Sequence, residues 1–334
     1  MSIEILTVVL VLSVIGLMFI GVPVVFSLGG AAAIYTIALW GWTPTTMMAY
    51  TAIKQFTNTI FIAGPLFVLM GGLLQHSGIA DDMFEVIYKW LGRLKGGLAS
   101  GTVLICTVFG AITGVSGTAT LTMGLIAIPA MLKRGYHKHI ALGAVAAGGL
   151  LGIMIPPSLI MIIYAMVSGE SIGRLFMGGI GPGLTMSALY CIYNTVRCTL
   201  DSTLGPPIPR EERVTLKEKM ISLRGIIFPI ILILMVLGGI YAGVATPTEA
   251  AAVGAVGSAI AALLKGRLKW AVIRDASEQS FRLTAMILWL LIGANCFNQF
   301  DPASPFGGVR ESGFGREGGR QGLAEYLALS PVRT

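Results

Sequence analysis

Residues 97–132 read GLASGTVLICTVFGAITGVSGTATLTMGLIAIPAML and contain no charged side chain. A membrane-spanning helix needs about 20 apolar residues, so this stretch is too long for one ordinary crossing. The segment 114–120, rich in glycine and hydroxyl side chains, interrupts it near its middle and predicts two half-helices that meet inside the bilayer. Irregular backbone at that depth is tolerated only where protein buries it or where it lines a wet cavity. The stretch therefore indicates a transport site.

Basic side chains flank this stretch on both sides. They are Lys89, Arg93 and Lys95 before it, and Lys133, Arg134 and Lys138 after it. Short basic loops tend to stay in the cytoplasm. Entry and exit on the same face predict a re-entrant helical hairpin over residues 98–132.

The composition is that of a membrane protein. The 334 residues are 55% hydrophobic and 12% charged, with a mean hydropathy of +0.82. Because an average soluble domain has about 25% charged residues, we predict an all-α polytopic membrane protein embedded in a lipid bilayer. The net charge of +7 lies in short loops that set orientation, and it does not indicate a nucleic-acid partner. The four cysteines lack CxxC spacing and indicate neither a disulfide framework nor a zinc site.

Further apolar segments predict the other membrane helices. They fall at 3–20, 22–40, 57–76, 139–168, 174–200, 224–244, 246–264 and 280–297. Segment 79–97 alternates charged and apolar residues, which predicts an amphipathic helix along the interface. The basic loops 209–224 and 265–274 are predicted to be cytoplasmic.

Two parts of the chain resemble each other at a separation of 224 residues. Val22-Pro23 corresponds to Thr246-Pro247, and Gly30 corresponds to Gly254. Many transporters consist of inverted repeats. We therefore predict a first repeat with its connecting arm over residues 1–220 and the start of a second, truncated repeat over residues 221–297.

The middle of the hairpin is the first candidate site. Gly114 and Gly117 let the chain turn and let a ligand approach closely. Backbone carbonyls and the hydroxyls of Ser116 and Thr118 could replace the hydration shell of a sodium ion, and a helix N-terminus there suits a substrate carboxylate. The alternative is a surface of small residues on which helices pack.

A second break is predicted inside the long apolar segment 139–168. Pro156 and Pro157 remove two amide donors and clash with the preceding turn, and Ser158 adds a hydroxyl beside them. The alternative is a simple kink. We expect a cavity lined by both breaks to hold the ion.

Thr246 and Glu249 begin the apolar segment 246–264 and leave two interpretations open. Glu249 is an intramembrane acid, which suggests a functional site in the second repeat. It also lies three residues after Thr246, with Pro247 between them, which predicts a capping box at a helix start. His76, His137 and His139 lie at segment ends or in a basic loop, and no metal-ligand spacing accompanies them.

Four motifs together are specific for a known family. They are Gly64–Gly71, Phe109–Met131, Gly152–Ser158 and Gly243–Ala252. Over about residues 1–297 the chain resembles the large membrane subunit of tripartite ATP-independent periplasmic (TRAP) transporters of the C4-dicarboxylate type. The resemblance implies a sodium-coupled, elevator-type secondary transporter of the bacterial inner membrane, and not an enzyme. It also implies two partners, a small membrane subunit and a periplasmic binding protein that delivers an organic acid.

The resemblance also implies where sodium binds. The family's sodium sites correspond to Ser116, Gly117 and Thr118 at the hairpin tip and to Pro156, Pro157 and Ser158 at the second break. Sodium would be a coupling ion, and no other metal or cofactor is implied. The tip reads Gly-Val-Ser-Gly-Thr where a doubled serine is common in the family.

The end of the chain resembles a different family. Residues 298–308, 311–319 and 322–327 are similar to the extreme C-terminus of aldehyde dehydrogenases, and the second hairpin of the transporter family has no counterpart. We predict a soluble tail over 298–334 that stays disordered without a dehydrogenase to pack against. A chimeric, truncated fragment that does not transport is therefore the alternative function, and an aldehyde dehydrogenase fragment is the least favoured one.

Overall fold

The computed structural model describes residues 3–42, 45–212 and 214–299. Within these ranges the regular elements are helices, and no strand occurs among them. The described chain divides into two compact units: residues 3–58 with residues 284–299, and residues 59–283. An all-helical protein was predicted, and this prediction is confirmed.

The first unit contains three helices and the end of a fourth. They are α1 (Ile3–Phe19), α2 (Val24–Trp40), α3 (Thr45–Phe56) and the C-terminal part of α14 (Trp270–Gln299). Phe26 and Trp289 meet edge to face, with ring centroids 6.0 Å apart. The sequence did not predict α3, because threonines, Lys54 and Gln55 interrupt its apolar residues.

The second unit contains the two predicted breaks. Its helices are a short 3-10 turn (Thr59–Ile62), α4 (Ala63–His76), α5 (Ile79–Leu91), α6 (Gly97–Thr113), α7 (Ser116–Lys133), α8 (Lys138–Met154), α9 (Leu159–Ser168), α10 (Ile172–Leu200), a 3-10 turn (Arg210–Glu212), α11 (Leu216–Ser222), α12 (Arg224–Tyr241), α13 (Pro247–Leu264) and the first part of α14. A two-residue turn separates α6 from α7, and residues 155–158 separate α8 from α9. The first break is narrower than predicted, because α7 already begins at Ser116.

Five segments of the described chain are long and apolar enough to cross a membrane. They are 59–76, 138–168, 172–200, 216–241 and 247–264. Helices α1, α2 and α6 are apolar but shorter. These lengths agree with a polytopic membrane protein.

Helix α6 forms the centre of the second unit. Fifteen of its seventeen residues are buried. Its small residues allow very close packing against α8: a Cβ atom added to Gly110 would lie 2.6 Å from the Cα atom of Gly152. Such close approach of two helix backbones is typical of membrane helices with glycine at the contact.

The two ends of the α6–α7 hairpin lie together, because the loop after α10 binds both of them. The amide of Gly96 donates to the carbonyl of Gly205 at 2.9 Å, and the amide of His137 donates to the carbonyl of Leu204 at 3.0 Å. Chain entry and exit are thus at one end of the hairpin, as a re-entrant element requires. Its position in a membrane stays a prediction.

The second helix of each predicted repeat has similar bounds. Helix α2 runs from Val24 to Trp40 and α13 from Pro247 to Leu264, so their ends are 224 residues apart and their starts 223. The repeat boundaries at 220 and 297 stay predictions. Asn298 and Gln299 end α14. The remainder of the predicted tail, residues 300–334, lies outside the described residues.

Candidate ion and solute site

The hairpin tip consists of a two-residue turn between α6 and α7. Gly114 has a left-handed backbone (φ +64°), and its amide donates to the carbonyl of Gly110 at 2.8 Å to close the last turn of α6. Val115 is extended, and α7 begins at Ser116 without a side-chain cap. The tip therefore places carbonyls at the end of α6 beside amides at the start of α7, where partial charges of opposite sign accumulate.

The second break divides α8 from α9. Ile155 is extended, Pro156 and Pro157 are joined by a cis peptide bond, and Ser158 is the extended residue before α9. The two successive prolines lack amide hydrogens and their rings clash with the preceding turn, which accounts for the end of α8 at Met154. All three of the predicted site residues Pro156, Pro157 and Ser158 are buried.

The structure brings the two breaks into direct contact. The amide of Leu159, in the first turn of α9, donates to the carbonyl of Gly114 at 3.1 Å. A Cβ atom on Gly114 would lie 2.8 Å from the carbonyl oxygen of Pro157. On the other side of the turn, a Cβ atom on Gly152 would lie 3.6 Å from the amide nitrogen of Ser116. Two segments that are distant in sequence therefore form one junction.

Ser158 is the most unusual side chain at this junction. A serine at the N-cap position normally accepts a hydrogen bond from an amide in the first helical turn. The Ser158 hydroxyl makes no such bond, is fully buried, and has no hydrogen-bond partner in the described structure. A buried hydroxyl without a partner is unfavourable, and a bound cation would satisfy its oxygen.

A cavity of about 520 Å³ adjoins the hairpin tip. Gly117 and Thr118 line it from α7, Gln75 from α4 and Gln279 from α14. The Gln279 amide nitrogen donates to the Thr118 hydroxyl at 3.1 Å. The Oε1 atoms of Gln75 and Gln279 are buried and have no hydrogen-bond partner in the described structure. No motif in the sequence marked either glutamine.

Three charged residues of α14 complete the cavity wall. They are Asp275, Glu278 and Arg282. Arg282 pairs with Glu278 one helical turn away, and its hydrogen bond and charge hold the pKa of the Glu278 carboxyl below its usual range. The cavity thus offers a cation, two anions and several uncharged polar groups within one space.

Only some of the predicted site residues line the cavity. Gly117 and Thr118 line the cavity, whereas Pro156, Pro157 and Ser158 do not. The Ser116 carbonyl accepts a hydrogen bond from the Thr120 hydroxyl at 2.9 Å. Binding of an ion at these residues stays a prediction.

Thr246 and Glu249 form the predicted capping box. The Thr246 amide donates to the Glu249 carboxylate at 2.8 Å, and the Glu249 amide donates to the Thr246 hydroxyl at 3.3 Å. These bonds explain the position of Glu249, which caps the start of α13. A role for Thr246 and Glu249 in coupling ion binding to transport stays a prediction. His76 lies in the last turn of α4 and His137 precedes α8.

The fold and this junction define a polytopic helical membrane protein with two broken helical elements in contact. The family model for the DctM component of the tripartite ATP-independent periplasmic transporter matches residues 11–300. The chain therefore belongs to the DctM family, a family of permeases and not of enzymes.

Curated relatives agree with this assignment. The C4-dicarboxylate TRAP transporter large permease protein DctM of Vibrio cholerae is 34% identical over 249 residues, which are 73% of this chain and 52% of the relative. The DctM protein of Pseudomonas aeruginosa is 34% identical over 81% of this chain and 62% of its own length. The ectoine TRAP transporter large permease protein TeaC of Halomonas elongata is 30% identical over 88% of this chain and 68% of its own length. The chain thus spans between half and about two thirds of the length of these relatives.

Proposed function

We propose that this chain forms part of a permease that imports an organic acid, with sodium as the coupling ion, and that sodium binds at the junction of the two breaks. The observation that carries the proposal is Ser158, whose hydroxyl is fully buried, has no partner, and lies beside the Leu159–Gly114 hydrogen bond. Broken helices in transporters offer backbone carbonyls and helix C-terminal ends to sodium.

The proposed ion ligands are oxygen atoms from both breaks. The hairpin tip offers backbone carbonyls at Gly114 and hydroxyls at Ser116 and Thr118, and the second break offers the Ser158 hydroxyl and the carbonyls next to Pro156 and Pro157. These are uncharged oxygen donors of the kind that suit a hard monovalent cation. Gly117 leaves the approach to the tip open, since nothing lies within 4 Å of where its Cβ atom would be.

The proposed solute site is the cavity at the tip. The uncapped start of α7 lies at this cavity, which favours an anion, and Arg282, paired with Glu278, is the cation of the wall. Relatives are named as permeases for C4-dicarboxylates and for ectoine, both of which are small solutes with a carboxylate. We infer an organic acid of this size class as the solute.

The proposed mechanism and partners follow from the family. We propose an elevator-type movement in the bacterial inner membrane, in which the hairpin carries ion and solute together. The family is one component of a tripartite transporter, which supports two further components. We propose that these are a small membrane subunit and a periplasmic binding protein that delivers the acid.

Sodium binding can be tested on the purified full chain in detergent. Thermal unfolding is measured in NaCl and in KCl at equal ionic strength. A ligand that binds only the folded state at 100 times its Kd stabilises by about 2.7 kcal/mol, so we expect a higher Tm in NaCl. Equal Tm values in the two salts up to molar concentration would contradict the sodium site.

Transport is tested separately. The chain is reconstituted in proteoliposomes with its small subunit and a binding protein loaded with a radiolabelled C4-dicarboxylate. We expect uptake that depends on an inward sodium gradient and disappears when potassium replaces sodium. Uptake without a sodium requirement would contradict the coupling, and absence of uptake with any organic acid tested would contradict the transport proposal.

A further inference from the structure

Helix α11 stands at the entry to the span α12 and exposes apolar side chains. None of its seven residues is buried. Leu216 is 77% exposed, Met220 59% and Ile221 51%. Because residues four apart stack on a helix, Leu216 and Met220 share one face, and Ile221 adjoins it. Three large apolar side chains on so short a helix are unfavourable in water, so something other than water must cover this face.

A different side of α11 is fixed to α5. The Trp90 indole nitrogen donates to the Lys219 carbonyl at 3.1 Å, and the Lys219 ammonium lies 5.9 Å from the centroid of the Trp90 ring. Helix α5 buries its own apolar residues inside the protein, among them Met83 and Phe84. The contact with α5 therefore holds α11 in place and leaves its apolar face uncovered.

The exposed face of α11 continues along the membrane span. Leu223, the residue between α11 and α12, keeps a helical backbone (φ −55°, ψ −23°), so residues three and four apart stay on one side through the junction. The series at steps of three or four residues is Leu216, Met220, Arg224, Ile227, Ile231 and Leu234, and every member is exposed. On a membrane span such an apolar stripe contacts lipid. The face of α11 is thus the extension of a lipid-facing surface.

Helix lengths place α11 at the level of the lipid headgroups. The 18 residues of α12 rise about 27 Å, close to the thickness of about 30 Å of the hydrocarbon core. The polar layers bring the bilayer to about 40–45 Å, so α11 extends the span into one of them. Trp90, which is exposed beside α11, is a residue typical of this level.

Two cations stand in the exposed face. Around the helix Lys217 lies between Met220 and Ile221, and Arg224 lies one turn after Met220. Both cations are exposed, and neither takes part in an ion pair among the described residues. Cations next to apolar side chains at headgroup depth suit anionic lipids.

The acids near these cations have other partners. Glu218 accepts a hydrogen bond from the Thr215 amide at 2.8 Å at the start of α11. Asp82, which lies beside Gly225, pairs with Lys265 of α13. From residue 215 to residue 224 the chain carries three cations and one acid. The surface around α11 therefore has a net positive charge.

We propose that α11 is an interfacial anchor that binds anionic phospholipids, with Leu216, Met220 and Ile221 among the upper acyl chains and with Lys217 and Arg224 at the lipid phosphates. The apolar face alone would fit any bilayer surface. The two cations without ion pairs favour an anionic one. The anchor is independent of the sodium and solute sites proposed above.

Fluorescence quenching tests the depth of α11. Leu216→Cys or Met220→Cys is made in the full chain with its native cysteines replaced, labelled with the dye NBD, and placed in nanodiscs of phosphatidylcholine and phosphatidylglycerol. Glu85→Cys is the control, because Glu85 is exposed on α5, whose apolar face is buried in the protein. We expect brominated acyl chains to quench the dye at 216 and 220 at least about threefold more than at 85.

The choice of lipid is tested with bromine on phosphatidylglycerol alone or on phosphatidylcholine alone. We expect brominated phosphatidylglycerol to quench the dye at 220 more strongly, because this lipid gathers at the two cations. Lys217→Gln and Arg224→Gln should each reduce its excess by up to about fivefold. Arg174→Gln should leave the excess unchanged, since Arg174 lies at the start of α10, remote from the loop that leads to α11.

Three results would overturn the proposal. The first is quenching at 216 and 220 that does not exceed quenching at 85, which would place α11 outside the lipid. The second is equal quenching by the two brominated lipids, which would remove the preference for anionic lipid. The third is loss of quenching at 220 when the small membrane subunit is added, which would make the face a protein interface.

Discussion

The amide of Leu159 donates a hydrogen bond to the carbonyl of Gly114 at 3.1 Å, and this bond attaches the first turn of α9 to the tip of the α6–α7 hairpin. One bond of this kind contributes about 0.5–1.5 kcal/mol. Its larger effect is geometric, because it fixes the position of one break relative to the other. A change at the tip is therefore transmitted directly to the start of α9.

Gly114→Ala should destabilise the protein by about 1–3 kcal/mol. Gly114 has a positive φ, and its new Cβ atom would be 2.8 Å from the carbonyl oxygen of Pro157. Gly117→Ala is the matched control: Gly117 lies in the first turn of α7 with open space around it, so alanine should be neutral or stabilise by up to about 1 kcal/mol. Thermal unfolding of both variants in detergent measures the difference. Equal Tm values for the two variants would show that the tip is not constrained as described.

Ser158→Ala should remove the response to sodium and leave the apo protein as stable as before or more stable. The unpaired hydroxyl carries a desolvation penalty of about 1–3 kcal/mol, and alanine removes it. The control is Ser187→Ala, a buried serine whose hydroxyl lies 2.8 Å from that of Thr107. This control should lose about 1 kcal/mol and keep the sodium response.

The measurement is the Tm of each variant in NaCl and in KCl. If Ser158→Ala keeps the full sodium-dependent shift, the Ser158 hydroxyl is not a ligand. If Ser187→Ala also loses the shift, the effect comes from general loosening of the core.

Thr118 and Gln279 should be energetically coupled. The Gln279 amide donates to the Thr118 hydroxyl at 3.1 Å, which links α14 to the tip. A double-mutant cycle of Thr118→Val and Gln279→Ala should give a coupling of about 0.5–1.5 kcal/mol in the free energy of unfolding. Ser280→Ala is the control partner for Thr118→Val, because the Ser280 hydroxyl bonds the carbonyl of Pro65 instead. That control pair should be additive within about 0.5 kcal/mol, and a similar coupling in both cycles would contradict a specific link.

The two breaks were predictable from the sequence because each has a local physical cause. An uncharged run too long for one crossing, with glycines at its middle, predicts the hairpin, and the pair Pro156-Pro157 predicts the end of α8. The break in the hairpin was predicted over residues 114–120 but comprises only Gly114 and Val115. Ser116, Thr118 and Thr120 were counted as part of the interruption, although serine and threonine also occur within membrane helices.

The sequence led us to expect both breaks at one cavity, but the particular contact between Gly114 and Leu159 could not be predicted, because it depends on how α6 packs on α8. That packing requires the close approach of Gly110 and Gly152, and glycines are frequent throughout the chain. Gln279 was missed for a related reason. It is one polar residue among several on the first half of α14, and only the fold shows that it reaches Thr118.

Both ends of the hairpin should be accessible from the same side of the membrane. Lys95 and Lys138 are exposed residues at its two ends, whereas Glu170 and Val244 are exposed residues in connections that the basic loops predict to be on the opposite side. Single cysteines at these four positions, in a chain whose native cysteines are replaced, are labelled with a membrane-impermeant thiol reagent. In inside-out vesicles we expect labelling at positions 95 and 138 and not at 170 and 244. Labelling of 95 and 138 from opposite sides would contradict the re-entrant hairpin.

Glu212 fastens the loop after α10 to the hairpin flanks. Its carboxylate accepts a hydrogen bond from the Tyr88 hydroxyl of α5 and pairs with the Arg134 Nη2 atom at 3.4 Å, just after α7. The Arg134 guanidinium also lies 4.4 Å from the centroid of the Tyr88 ring. The hydrogen bond from Tyr88 and, to a smaller extent, the charge of Arg134 hold the pKa of Glu212 below its ordinary value of 4.5.

This lowered pKa fixes the sign of a pH effect. A carboxyl that is more acidic in the folded state stabilises the protein above its unfolded pKa, and the contribution disappears as the pH falls through the folded pKa. The Tm of the unmodified chain should therefore exceed that of Glu212→Gln at pH 7, and the difference should shrink below about pH 4.5. The effect should be small because the carboxylate is exposed. Glu211→Gln, a change at the adjacent exposed residue, should show no such dependence. Parallel curves of Tm against pH for the unmodified chain and Glu212→Gln would mean that the carboxylate does not hold the loop.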